Sequence, residues 1–217
     1  IDATIPRIDL RLRVEEETVR AGLRAWPTPH PHAGASPLDA SLELDRTSGD
    51  GRVHAGAPQV DLAQWSSLLR LMGVAVDAGK GRAEGWARLH GNRVDQVAVD
   101  AALDAVTLVG ASADGAGNGK RVVLARVAGR AQWQRMPGGW RLDAPSVQIT
   151  DETGQHEVGD LLLATGETMA VLAERVDAGP LARVAALSDR LHPALRRWIE
   201  QADPRASLHD IHVTGER

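Results

Sequence analysis

Four histidines stand at spacings that a metal site can use. His30 and His32 form an HxH pair in a proline-rich segment, and His209 and His212 lie near the C-terminus. A zinc site needs three or four ligands that converge on one point. Alternation along a strand would point His209 and His212 to opposite faces, and the proline-rich segment offers no rigid support to the first pair. We therefore interpret all four as solvated side chains, and we predict no metal and no other cofactor.

A glycine-rich run from Asp114 to Lys120 has the composition of a phosphate-binding loop. Such a loop requires glycine five residues before the Gly–Lys pair, and Ser or Thr directly after the lysine. Asp114 and Arg121 occupy these two positions. The run is therefore more typical of a hairpin loop between two strands.

Covalent catalysis has few candidates in this chain. The sequence contains no cysteine, which excludes a thiolate nucleophile, a disulfide framework and an iron–sulfur cluster. Neither a GxSxG elbow nor an HExxH zinc motif occurs. An active site would have to be assembled from residues that are all distant in sequence, and we predict that the protein is not an enzyme.

Arginines are the residues most suited to binding phosphate. Arg7, Arg11 and Arg13 alternate along one segment, and Arg196–Arg197 form a second group. Acidic neighbours dilute both groups, and the formal net charge of the chain is −4. A solvated polar face is the simpler interpretation, and we predict no nucleic-acid partner.

Trp86 departs from the pattern of its own segment, because it stands in the polar phase of an alternating strand. An indole in that position can be a core plug beneath a helix, or it can contact an apolar ligand. We favour the plug.

Most of these residues must be positioned by β-strands, because apolar and polar residues alternate with a period of two along much of the chain. The pattern predicts a mainly β protein, built of antiparallel amphipathic strands with a few short helices. The predicted strands cover residues 8–14, 19–25, 38–45, 83–89, 97–103, 123–133, 140–149, 158–164, 168–176 and 207–213.

Two segments have helical spacing instead. Val60–Met72 places apolar residues three and four positions apart, with Asp61 as N-cap and Gly73 at the C-terminal end. Residues 177–201 predict a helical hairpin, which Asp177 would cap and which Pro193 would restart. The proline-rich residues 27–37 suit neither a helix nor a central strand, and they mark a possible boundary within the chain.

Composition limits how the apolar face is filled. The chain contains no Phe and no Tyr, and its six Trp are its only aromatic residues. Its longest aliphatic runs fall far short of the roughly 20 residues that a membrane-spanning helix needs. Any membrane anchor is expected outside these residues, and the chain is expected to be a fragment or a processed form.

Several segments, in order, resemble the YhdP-type proteins of the AsmA-like superfamily, which are proteobacterial envelope proteins. The resemblance covers roughly residues 55 to 215, whereas residues 1–50 match only as amphipathic strands. It is carried by residues 60–65 (VDLAQW), 73–82 (GVAVDAGKGR), Trp86 with the strand at 93–94, 139–144 (GWRLDA), 176–182 (VDAGPLA) and 203–211 (DPRASLHDI). Ala206 and Ala178 depart from the family pattern, which usually has Gly and Leu at these positions.

The resemblance implies an inner-membrane-anchored protein whose long periplasmic part is an open, curved sheet with an apolar groove. Proteins of this kind are thought to pass phospholipid from the inner to the outer membrane. Residues 1–217 would then be one piece of that groove region. Their partners would be phospholipid acyl chains and other segments of the same long protein.

Apolar strand positions are the groove candidates, and the two helical segments would plug or cap one end of the groove. Alternatively, the apolar faces pack on each other in a closed β-rich scaffold that spaces domains or docks a partner and binds no lipid. Alternation alone does not separate these possibilities. The groove candidates are Leu10, Leu12, Leu42, Leu44, Val97, Val99, Val123, Val127 and Leu142.

Overall fold

The computed structural model describes residues 5, 7–26, 36–66, 69–71, 73–110, 120–188 and 190–216. Twelve strands, one 3-10 turn (η1) and two α-helices make up this part of the chain. In chain order they are β1 (Arg7–Val14), β2 (Thr18–Trp26), β3 (Leu38–Asp45), β4 (Gly51–Asp61), η1 (Leu62–Trp65), β5 (Arg70–Leu71), β6 (Val74–His90), β7 (Arg93–Gly110), β8 (Arg121–Met136), β9 (Gly139–Asp151), β10 (Gly154–Thr165), β11 (Thr168–Asp177), α1 (Ala178–Leu187), α2 (Pro193–Ala202) and β12 (Ser207–Glu216).

All the strands belong to one open antiparallel sheet. Each long strand pairs with the next one along the chain, and the two-residue β5 pairs with β6 beside this path. In the described sheet β1 and β12 are the two edges and do not pair with each other. The predicted fold class is confirmed, and the single open sheet does not match the closed scaffold.

Turn chemistry explains the tight connections. Gly91 and Asn92 join β6 to β7 with φ of 56° and 61°. Two consecutive positive φ angles are the signature of a type I′ turn, which matches the twist of antiparallel strands. Between β8 and β9, Pro137 and Gly138 form the predicted turn, with Gly138 at φ 74°.

The sheet curls strongly between β2 and β8. Arg20 of β2 and Gln132 of β8 line the same cavity of about 630 Å³. Six strands lie from β2 to β8 along the sheet, and in a flat sheet these two positions would be about 24 Å apart. The sheet is therefore curved, and over these strands its concave side is the face that carries Arg20 and Gln132.

Local irregularities keep one face apolar where the alternation breaks. Asp160 and Asp210 have φ of 47° and 50°, and Pro145 lies opposite Asp160 in the register. In each of these strands the apolar residues are three positions apart across the irregularity instead of two, as with Ala144 and Val147. The bulge itself lies between β8 and β9, where the register shifts between Arg130 and Gln132 and the extra residue of β9 resets its phase; β10, β11 and β12 follow that phase without a further shift.

The irregularity at Asp210 also corrects the expectation for two histidines. His209 and His212 pair with Arg175 and Leu172 on β11. Because the alternation is interrupted at Asp210, which has φ of 50°, they lie on the same face of β12, and the prediction of opposite faces is wrong. His30 and His32 lie outside the described residues, as does most of the proposed boundary at 27–37, which stays a prediction.

The helix predicted over Val60–Met72 is wrong. β4 continues through Asp61, which pairs with Lys80 on β6, and only Leu62–Trp65 turn as a 3-10 helix. Asp61 does cap this turn, since its carboxylate accepts a 3.2 Å hydrogen bond from the Ala63 amide. Pairing with β6 therefore overrides the helical spacing before and after one short turn.

The predicted helical hairpin is confirmed as α1 and α2, with Pro193 at the first turn of α2. Asp177 precedes α1, but its side chain makes no capping hydrogen bond. The capping part of the prediction is therefore wrong.

Candidate functional site

One row of apolar side chains crosses the whole sheet. Residues that face each other in adjacent antiparallel strands project from the same face, so the register defines the row. From β1 to β12 it consists of Leu12, Ala21, Leu42, Val53, Ala87, Val97, Trp133, Leu142, Leu163, Val171 and Val213.

We call the face that carries this row the apolar face. Its exposure is greatest at the two edge strands, where Leu12 is 63% and Val213 is 55% accessible, and the nine row residues between them are half-buried. Eight of the nine groove candidates lie on this face by register. They are Leu10, Leu12, Leu42, Leu44, Val97, Val99, Val127 and Leu142.

Val123 is the exception. Its neighbour Leu124 is buried with Val106 and Ile149, and Val127 packs against the same cluster. Val123 is 59% exposed. The alternation is interrupted between Leu124 and Val127, where the facing residue of β7, Ala105, has a positive φ of 50°. Val123 therefore lies on the other face from Val127. Regular alternation predicts the opposite.

One end of the apolar face is covered. Val106, Leu124 and Ile149 are buried at this end, and α1 contacts β7 and β8 there. Leu62 of η1 is also buried, and it lies with Val106 against Gly79 of β6. The short turn and the helical hairpin therefore close the same end of the sheet and leave the rest open.

A buried carboxylate fastens α1 to this end. Asp151, the last residue of β9, is buried and pairs with Arg183 of α1. It also accepts hydrogen bonds from the Thr153 amide and hydroxyl at 2.7 and 2.6 Å, and lies 3.1 Å from His156 Nε2. Burial alone would raise the pKa of Asp151, but Thr153, His156 and the charge of Arg183 lower the pKa to about 2. Asp151 therefore stays ionised.

A second carboxylate fastens the start of α1. Asp177 accepts a hydrogen bond from the Ser207 hydroxyl of β12, and another of 2.8 Å from the Glu157 amide of β10. Arg175 lies 3.4 Å from the same carboxylate. The Ser207 hydrogen bond lowers the pKa of Asp177 against the effect of burial, and Glu157 and Arg175 add to this. Asp177 thus joins three strands at the base of the helical hairpin.

The geometry of Asp151, Thr153 and His156 favours a structural role over catalysis. A proton relay uses both ring nitrogens of histidine, one toward the carboxylate and one toward the nucleophile. Here His156 Nε2 faces both Asp151 and Thr153, at 3.1 and 2.9 Å. The Thr153 hydroxyl also donates to Asp151. Sequence patterns gave no signal for this cluster, because Asp151 lies in a polar turn where carboxylates are common.

The cavity of about 630 Å³ lies on the opposite face of the sheet, which we call the polar-phase face. Trp86 and His54 line it, their rings 5.5 Å apart. Trp86 is 38% exposed. The interpretation of Trp86 as a core plug beneath a helix is therefore wrong.

The helices of the described part of the chain are short. Among these residues, no helix is long and apolar enough to cross a membrane.

The family comparison agrees with this architecture and with the resemblance found in the sequence. The model of the family described as "YhdP protein" matches residues 3–216. No curated protein and no solved structure matches the chain. Because the family match covers nearly the whole sequence, the chain belongs to the YhdP family.

Proposed function

We propose that this chain is a non-enzymatic segment of an envelope protein, and that it binds or conducts phospholipid along its apolar face. The YhdP family is a family of envelope proteins. The observation that carries the proposal is the apolar row across eleven strands, which is left largely uncovered away from one end. Exposed apolar surface of this extent marks a binding site for an apolar partner.

The dimensions suit lipid tails. Eleven strands at a spacing of about 4.8 Å span about 48 Å across the sheet. One leaflet of a bilayer has a hydrocarbon depth of about 15 Å, so the row is long enough for several acyl chains end to end. Alanines such as Ala21 and Ala87 in the row leave room that larger aromatic side chains would fill.

The edges of the sheet support a place within a longer groove. Both β1 and β12 are mostly exposed and present an unpaired backbone edge in the described structure. Unpaired edges are templates for adding strands. We propose that other segments of the same long protein continue the sheet, and that the whole is periplasmic and tethered to the inner membrane by an anchor outside this chain.

The test is a charge placed in the apolar row. Val97→Asp and Leu142→Asp put a carboxylate among the row residues, where burial against an acyl chain is strongly unfavourable. Gln134→Asp is the matched control, because Gln134 neighbours Trp133 of the row but projects from the polar-phase face. Phospholipid that co-purifies with each variant is measured by lipid extraction and native mass spectrometry.

We expect the two row variants to lose co-purified phospholipid and the control to retain it. Circular dichroism and thermal melting identify variants that have unfolded. A folded Val97→Asp protein that carries as much phospholipid as the parent would contradict the proposal. A parent protein that carries no phospholipid after expression in cells with phospholipid membranes would also contradict it.

A further inference from the structure

The cavity on the polar-phase face is lined by aromatic and basic side chains. Trp86 and His54 line it together with Arg52, Arg88 and Arg130, and the Arg20–Glu43 ion pair lies among them. At about 630 Å³ it falls within the range of small-molecule sites, about 300–1,000 Å³.

These three arginines differ from many others on the same face. Arg24 and Arg82 form ion pairs across neighbouring strands with Asp39 and Asp100, at 2.6 and 2.9 Å. Within the described structure, Arg52, Arg88 and Arg130 form no such pair. Arg52 lies opposite Glu43 on β3, and Arg130 lies opposite Asp100 on β7. These two carboxylates pair with Arg20 and Arg82 instead, so the charges of Arg52, Arg88 and Arg130 remain available to a ligand.

The register places two like charges side by side between β4 and β6, while Glu43 of β3 faces Arg52 from the other side. Arg52 of β4 lies directly opposite Arg88 of β6. Like charges at directly opposed positions destabilise a sheet. An anion between the two guanidinium groups would remove this repulsion.

The geometry favours phosphate over carboxylate. Each guanidinium presents a planar fork of N–H donors that binds two oxygens side by side. One such fork engages both oxygens of a carboxylate, whereas a phosphate monoester offers three terminal oxygens and more negative charge to the two arginines. The exposed indole of Trp86 beside them offers a flat surface for an apolar or planar group attached to the phosphate.

We propose that this cavity binds a phosphate ester, with the phosphate held between Arg52 and Arg88 and the ester group on Trp86. The side chains proposed to hold the ester project from the face opposite the apolar row, although Ala21, Leu42, Val53 and Ala87 of the row also border the cavity. Trp86 and Arg88 flank Ala87 in β6 and project to the opposite side from it, whereas Ala87 belongs to the apolar row. The protein would then carry two ligands of different chemistry on the two faces of one sheet.

The site can be tested by NMR on the folded chain. The indole N–H resonance of Trp86 is assigned by its loss in Trp86→Leu, and it is followed during titration with phenyl phosphate or glycerol 3-phosphate at constant ionic strength. We expect a saturable shift of the Trp86 resonance. Tighter binding of phenyl phosphate indicates a planar ester, and equal binding indicates a glycerophosphate headgroup.

Variants establish which residues hold the phosphate. Arg88→Gln and Arg52→Gln should each weaken binding about tenfold, since each removes a charged hydrogen-bond donor. Arg24→Gln is the control, because Arg24 is on the same face but already paired with Asp39. Val97→Asp, if folded, should leave the titration unchanged, which separates this site from the lipid-binding face.

Two results would overturn the proposal. One is a Trp86 resonance that neither ester shifts at millimolar concentration. The other is equal weakening by Arg88→Gln and Arg24→Gln, which would indicate a general attraction of anions to the surface. Folding of each variant is checked from the dispersion of the same spectra.

Discussion

Replacing Asp151 by Asn tests how the helical hairpin is held on the end of the sheet. The substitution keeps the shape of the side chain but removes the negative charge that faces Arg183. The pKa of Asp151 is lowered from 3.8 to about 2 in the folded protein. At about 1.4 kcal/mol per pKa unit, the ionised form contributes about 2 kcal/mol to the free energy of unfolding at neutral pH.

The sign of the pH dependence follows from the lowered pKa. The contribution of Asp151 is fully present above the unfolded-state pKa of about 4, and it is lost as the pH falls through the folded-state value of about 2. Asp151→Asn should therefore be about 2 kcal/mol less stable than the parent at pH 7. The difference should shrink between pH 4 and pH 2.

Urea unfolding of both proteins, followed by circular dichroism at pH 7, 4 and 2.5, measures this difference. Glu152→Gln is the matched control. Glu152 also faces Arg183, at 3.5 Å, but its side chain is almost fully exposed. An exposed pair contributes about 0–1 kcal/mol, so the control should stay close to the parent.

Equal effects of the two substitutions would refute the reasoning, because burial would then make no difference. A loss in Asp151→Asn that stays constant from pH 7 to pH 2.5 would also refute it. That result would assign the loss to packing, with no part for the charge.

Three further predictions concern packing. Gly81→Ala should destabilise the protein by 1 kcal/mol or more, because Gly81 has φ +152° and an added Cβ would lie 2.1 Å from a carbonyl oxygen of β7; Gly22→Ala, where nothing lies within 4 Å, is the control in thermal melting. Ser207→Ala should cost about 1 kcal/mol and raise the pKa of Asp177, measured by carboxyl NMR titration; an unchanged pKa would contradict the assigned hydrogen bond. Leu62→Ala should cost about 2–4 kcal/mol in urea unfolding, and a loss below about 0.5 kcal/mol would show that η1 does not seal this end.

Local rules recovered the elements that depend on local chemistry. Alternation predicted most of the strands, and Gly91 and Pro137 marked their turns correctly. The alternation did not single out β4, whose apolar residues are mostly small, nor the first half of β6. The Val60–Met72 segment satisfied helical spacing, but an isolated helix of this length is only marginally stable, and pairing of Asp61 with Lys80 on β6 keeps the start of the segment in the sheet.

Part of the candidate site could likewise be predicted from local patterns, and part of it could not. The shared face of Leu12, Leu42 and Val97 followed from the period of two. The displacement of Val123 to the other face did not, because it depends on an irregularity that β7 and β8 share. The Asp151–Arg183 pair was also beyond prediction, since its partners are far apart in sequence and meet only when α1 docks.

The sequence by itself determined that this chain forms amphipathic antiparallel strands with a helical hairpin near its C-terminus, because turn residues and side-chain periods act over a few positions. Only the tertiary structure decided that the strands form one open sheet, where its bulges lie, and which end is covered. Those features depend on register and docking between distant segments. Register also placed Arg52 opposite Arg88, beside the indole of Trp86. The indole is exposed, whereas the sequence alone favoured a buried plug.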